Sequence, residues 1–175
     1  MSKIEIKKIG ILNTNCECIV NAANEGLWEG GGVCGIIFKA AGSSQLTKAC
    51  QAIGHCDTGS AVITPGFNLN AKYIIHAVGP VWKGGNHHEK QLLYSCYKRA
   101  LELAMKNNCH SIAFPLISSG IFRVPVDIAW RKALQACDDF IRNYSYDIDI
   151  LFTVIEDDKY IEGLKMFKTL DLKYE

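Results

Sequence analysis

The sequence predicts an α/β fold, a three-layer α/β/α sandwich built around a largely parallel sheet. Three observations carry this expectation. Six short apolar runs, each bounded by turn residues, alternate with longer segments of helical periodicity. Several of these runs are continuously hydrophobic rather than alternating, the pattern of strands buried on both faces beneath helices. No linker, repeat or low-complexity tract divides the 175 residues, so one domain over residues 1–175 is expected.

The strands are expected at residues 4–9, 16–22, 61–64, 73–78, 111–114 and 148–155. After the second, residues 33–42 are able to begin a helix. Leu92, Cys96, Ala100 and Ala104 repeat every four residues, accompanied by Leu93, Tyr97 and Leu101. Trp130, Leu134, Cys137 and Ile141 form a second stripe, with Pro125 and Asp127 where a helix start places them. Asp157 and Asp158 precede Ile161, Leu164 and Phe167 in the same manner. These stripes read as core and are assigned no chemistry.

A charged fraction of 21% with a net charge of +1 argues against disorder and against a surface built to neutralise a nucleic-acid backbone. No apolar stretch is long enough to span a bilayer, and the N-terminus lacks the pattern of a secretory signal, so a cytoplasmic protein without a membrane partner is expected. The eight cysteines show no CxxC spacing and are expected as reduced thiols. His55-Cys56 and His87-His88 have no second pair at zinc-site spacing and read as solvated loop residues, so no metal is expected.

The stretch NAANEGLWEGGGVCG, residues 21–35, places five glycines just after an apolar strand. Gly30, Gly32 and Gly35 formally satisfy GxGxxG, but Gly30 stands eight positions after Ala22, where a dinucleotide fingerprint needs its first glycine in the turn itself. The physical content of the glycines survives. Bare backbone lets N–H groups converge on an anion, and a helix start favours negative charge. A second such loop, SSGIFRVP at 118–125, leaves the strand at 111–114, and together the two suggest a diphosphate held between loops. Each taken alone is also readable as a tight connection.

With these residues in hand, the chain resembles the macrodomain family, specifically its MacroD-type branch. IVNAAN followed by GGGV-x-G-I-x-x-AAG, then GSAVITPGFNLNAKYIIHAVGP, then SIAFPLISSGIF, match that branch in order and spacing from about Ile4 to Leu170. The resemblance implies a macrodomain-like mixed, mostly parallel sheet between helices, an ADP-ribose cleft, and often removal of ADP-ribose from modified proteins or of acetyl from O-acetyl-ADP-ribose, without cofactor or metal. Its implied partner is ADP-ribose or an ADP-ribosylated protein. By position, Asn24 holds the distal ribose and the attacking water, and Gly31, Gly32 and Val33 line the first phosphate loop. Ser118, Ser119, Gly120, Ile121 and Phe122 form the second, with the Phe122 ring over the distal ribose. Ile11, Asn21 and Ile155 complete the implied ligand contacts, although Asn21 is also readable as a support of loop structure. His76 reads as a hydrogen-bonded core histidine.

Three departures from the branch fall on functional positions. Cys34 stands where it has the aspartate that activates water, and a thiol of ordinary pKa, about 8.5, is mostly protonated at neutral pH. Cys34 is therefore readable as packing or as a reactive thiol at a helix start. Gly10 replaces an aspartate that accepts from the adenine amino group, and Ile155 falls near an aromatic partner of the adenine face. Arg123, where glycine is usual, reads as solvated, and WKGGNHH at 82–88 reads as a rim. The expectation is an ADP-ribosyl hydrolase or deacetylase. The alternatives are a reader that does not cleave, favoured by Cys34, and a domain of altered base specificity, favoured by Gly10 and Ile155.

Overall fold

The computed structural model describes residues 1–174. Six strands are present: β1 (Lys3–Lys7), β2 (Cys18–Ala22), β3 (Ala61–Pro65), β4 (Tyr73–Ala77), β5 (Ser111–Phe114) and β6 (Asp149–Thr153). They form one sheet in the order β1-β6-β5-β2-β4-β3, parallel throughout except for β3, which runs antiparallel to β4 at the edge. Every expected strand is found, and the sheet is mostly parallel as the runs implied and mixed as the resemblance implied.

The continuous apolar runs are explained by two cores. Val20, Ile75, Ile112, Phe114, Ile150 and Phe152 point to one face, and Ile19, Ile74 and Ala113 to the other. Helices α3 (Glu89–Lys106), α4 (Val126–Asn143) and α5 (Asp157–Thr169) cover the first face. Helices α1 (Gly32–Ala41) and α2 (Ser43–Ile53) cover the second. Rings of Tyr97, Phe114, Phe152 and Trp130 pack in sequence on the first face, with centroids 5.0, 5.5 and 5.3 Å apart, separations at which aromatic pairs attract. No helix among the described residues is long and apolar enough to cross a membrane.

Helix α2 is the element that periodicity did not suggest. Only Leu46 and Cys50 of its eleven residues are buried, too sparse a stripe to register as an amphipathic face. It is set at an angle to α1 by Gly42, whose φ of +102° is open to glycine and strained for other residues. All eight cysteines are free thiols, seven of them buried.

Helices α4 and α5 meet at Trp130, whose indole N–H donates to the Lys159 carbonyl at 2.9 Å. A Cβ on Gly163 would lie 2.6 Å from this ring. Glycine inside a helix costs about 1 kcal/mol relative to alanine, so its presence here reflects the close approach of the indole. Gly163→Ala should therefore lose about 1–3 kcal/mol to overpacking, offset by at most about 1 kcal/mol of helix propensity, for a net fall in stability measured by urea denaturation.

The loop before α3 is organised by a single carboxylate. Glu89 is buried; its Oε2 accepts from the N–H groups of Lys83 and Gly85, both at 2.8 Å, and Oε1 from that of His87 at 2.5 Å. Burial alone would raise the Glu89 pKa, but these backbone donors outweigh it and hold the group at about 2. A depressed carboxylate pKa adds stability that is complete above the ordinary value of 4.5 and is lost as pH falls through that interval toward 2. Melting temperature should fall over this window in the unaltered chain, and the part of the fall due to Glu89 should be missing in Glu89→Gln.

Candidate functional site

Five strands run parallel, so the loops that follow them all emerge at one edge of the sheet. The central pair is β2 and β5, in register through Cys18 opposite Ile112 and Ile19 opposite Ala113. Parallel neighbours lie about 4.8 Å apart, and the two glycine-bearing loops therefore leave the sheet side by side. This is the place where open α/β sheets bind ligands.

The first loop begins with a closed turn at Asn24. Leu27 N–H donates to the Asn24 carbonyl at 3.0 Å, with Leu27 buried and its φ at +60°. The Asn24 side chain reads the next residue at both ends: Nδ2 donates to the Trp28 carbonyl at 3.0 Å, and Oδ1 accepts from Trp28 N–H at 3.1 Å. The carboxamide is thus fixed in orientation, with one N–H and one lone pair still available. Trp28 itself is exposed.

Helix α1 then starts at Gly32 without any side-chain cap and without an acidic residue in its first turn. Its first N–H groups, those of Gly32, Val33 and Cys34, have no carbonyl one turn earlier to bond. Gly35 is required because a Cβ there would meet the Gly30 carbonyl oxygen at 2.7 Å, and Gly32 because its φ is +58°. Gly31 is different. It has extended backbone, φ −89° and ψ −174°, and a Cβ on it would touch nothing.

The second loop is anchored from below by Tyr97, which sequence periodicity marks only as core. Its buried hydroxyl donates to the Pro115 carbonyl at 3.2 Å and accepts from Ile117 N–H at 2.8 Å. Ser119 Oγ donates to the Leu116 carbonyl at 2.7 Å, Val124 N–H to that of Ser118 at 2.9 Å, and Trp82 N–H to that of Phe122 at 2.7 Å. The N–H groups of Gly120, Ile121 and Phe122 donate to nothing among the described residues. Gly120, like Gly31, would meet no neighbour with an added Cβ. Ser118, at φ +65°, has a buried hydroxyl pressed against Gly79 and unpaired among the described residues.

Asn21 lies beneath this surface rather than in it, 1% exposed. Its Nδ2 reaches His76 Nδ1 at 3.1 Å and Cys34 Sγ at 3.6 Å. His76 Nε2 in turn lies 3.0 Å from Thr64 Oγ1, whose hydroxyl donates to the Pro65 carbonyl. Burial pushes the His76 pKa down to about 4, so the ring is neutral at physiological pH and one nitrogen accepts while the other donates. Asn21 Nδ2 is thus engaged beneath Cys34 while its Oδ1 has no partner among the described residues, and His76 is buried and hydrogen-bonded as the sequence suggested. Cys34 is buried; its sulfur accepts from Gly30 N–H at 3.4 Å, and its thiol lies 3.8 Å from the Trp28 carbonyl.

At the β1 and β6 end of the same edge stand Gly10, Ile11 and Ile155. Ile11 is buried against α1 and α2, whereas Ile155 is 66% exposed. Ile121 is 90% exposed, and Arg123 points outward from a turn closed by its own N–H on Gly120. The structure thus carries Asn24, Gly31, Gly32, Val33 and Cys34 on the segment after β2 and Ser118 to Phe122 on the loop after the neighbouring β5, with Gly10, Ile11 and Ile155 after β1 and β6 and Asn21 buried in β2.

Comparison with known proteins identifies the family. The Macro domain family model matches residues 20–133. A Salmonella typhimurium protein named O-acetyl-ADP-ribose deacetylase is 42% identical over 161 residues, 90% of this chain and 89% of its own length. The Oceanobacillus iheyensis macrodomain solved with ADP superposes with a TM-score of 0.87 at 36% identity, covering 94% of this chain and 90% of its own. The Trypanosoma brucei macrodomain in complex with ADP-ribose gives 0.84 at 32% identity over 93% of this chain and 68% of its own. The matched residues include both loops on β2 and β5, and the chain belongs to the macrodomain family.

Proposed function

We propose that the chain binds ADP-ribose along the carboxyl edge of its sheet. It then directs a bound water to release ADP-ribose from mono-ADP-ribosylated proteins, or acetate from O-acetyl-ADP-ribose. The single observation that carries this reading is the set of unpaired N–H groups at Gly120, Ile121 and Phe122, beside an uncapped helix start at Gly32, on the ends of adjacent strands. Gly31 and Gly120 strengthen it, because the fold itself makes no demand for glycine at either position. A pyrophosphate satisfies both sets of donors and places its negative charge at the positive end of α1.

With the diphosphate across β5 and β2, the adenine side extends toward Gly10 and Ile155, and the distal ribose toward Asn24 and Phe122. The remaining N–H and lone pair of Asn24 then orient a ribose hydroxyl and a water, and the Phe122 ring bounds the sugar. Positioning of this kind lowers the barrier by fixing the attacking atom, with the substrate phosphate as a nearby proton acceptor. The buried Cys34 sulfur is not presented as a base. The same sulfur favours a second reading, a domain that binds ADP-ribose without cleaving it.

Release of ADP-ribose from a modified protein, followed alongside binding, separates the two. The unaltered chain should turn over and Asn24→Ala should not; undiminished turnover in that variant would remove Asn24 from the mechanism, and binding without turnover in every form would establish the reader. Cys34→Asp should raise the rate on the order of 10²-fold, the usual scale of a general base, because Gly30 N–H and Asn21 Nδ2 are already aimed at a side-chain acceptor there. Equal rates for Cys34 and Asp forms would deny position 34 a role in activating water.

The adenine side has its own test. Gly10 has φ −73°, and an added Cβ would come no closer than 3.5 Å to its nearest neighbour, the Asn13 amide, so an aspartate fits. Gly10→Asp should tighten ADP-ribose binding by about 1.5–3 kcal/mol, roughly tenfold to over a hundredfold, by accepting from the adenine amino group. Calorimetry should show no such gain for the hypoxanthine analogue, which lacks that group.

A further inference from the structure

The connection from α2 to β3 packs against the turn that follows Asn24. Cys56 N–H donates to the Glu25 carbonyl at 3.0 Å, and the N–H and hydroxyl of Thr58 both donate to Glu25 Oε2 at 3.0 Å. One carboxylate oxygen of Glu25 is thereby fixed and the other is left open. On the same connection His55 Nε2 lies 2.8 Å from Asp57 Oδ1. Glu25, His55 and Asp57 each bring one ligand atom to a group whose members all lie within 4.8 Å of one another. Thirty residues of sequence separate Glu25 from His55, so neither spacing nor composition announces the group.

Two carboxylates held this close repel, and among the described residues no lysine or arginine pairs with Glu25 or Asp57. A divalent cation relieves that repulsion. Ligand atoms about 2.1 Å from a tetrahedral zinc ion are about 3.4 Å from each other. One pair is already inside that separation, and all three side chains are exposed. The imidazole decides the class of ion: magnesium and calcium prefer all-oxygen sites, whereas mixed nitrogen and carboxylate ligands suit first-row transition metals.

We propose that Glu25, His55 and Asp57 bind a divalent transition metal ion, represented by zinc, at the lip of the cleft next to Asn24. Three protein ligands leave at least one coordination position to solvent. The ion ties the Asn24 turn to the α2–β3 connection, which otherwise meet through the Cys56 and Thr58 hydrogen bonds to Glu25. None of Glu25, His55 and Asp57 is among the nucleotide contacts described above, and the test of this site needs no nucleotide.

The test is calorimetric titration of the whole chain with Zn²⁺ and with Mg²⁺, together with the absorption spectrum of the Co²⁺ form. One Zn²⁺ per chain is expected, with no Mg²⁺ saturation over the same range and no sulfur-to-metal charge-transfer band with Co²⁺. Glu25→Gln and His55→Ala should each weaken Zn²⁺ binding at least tenfold while melting as the unaltered chain does in chelator; Cys56→Ser should leave binding unchanged. Undiminished binding in either of the first two variants, or a charge-transfer band that Cys56→Ser removes, would overturn the site and leave only adventitious metal on surface groups or thiols.

Discussion

Everything at the candidate site depends on one constraint, the parallel pairing of β2 with β5. Parallel neighbours must send their following loops out at the same edge, and only that direction sets the Asn24 turn and the uncapped start of α1 beside the unpaired N–H groups of residues 120–122. An antiparallel β5 would carry its loop to the opposite edge and leave each set of donors alone. The constraint costs little, because both strands lie in the middle of the sheet and gain burial on two faces from the same pairing.

The two loops are held by different means. The second is fixed from the core, through a buried tyrosine hydroxyl that bridges a carbonyl and an N–H at its start. The first is fixed by its own sequence, through a carboxamide that bonds the backbone of the residue four positions on, and from beneath by a neutral histidine acting through Asn21. The paired members of this buried polar chain favour one geometry for the backbone around Cys34, while Asn21 Oδ1 has no partner among the described residues. Rigid donors that need no rearrangement are what electrostatic recognition of a diphosphate requires.

The departures from the family pattern acquire a physical setting in the structure. Cys34 occupies a position where two N–H donors converge, so the surroundings suit an acceptor even though the residue present is a thiol. Gly10 and Ile155 follow the paired strands β1 and β6, which β5 separates from β2, whose following loop leads to Cys34. The departures therefore stand on separate elements, which lets them be tested independently.

Local sequence determined what local forces govern. Runs buried on both faces, four-residue stripes, helix-start residues and two glycine-rich loops are written in patterns a few residues long, and each reappears in the structure within a residue or two of its expected place. Tertiary structure decided what depends on contacts across the chain. The direction of β3, the covering of the sparse helix α2, the descent of Asn21 into the floor, the anchoring by Tyr97 and the meeting of Glu25 with His55 and Asp57 all depend on such contacts. Periodicity reports which side of an element is buried and carries no information about which neighbour covers it, so those features could be read only once the strands had taken their order.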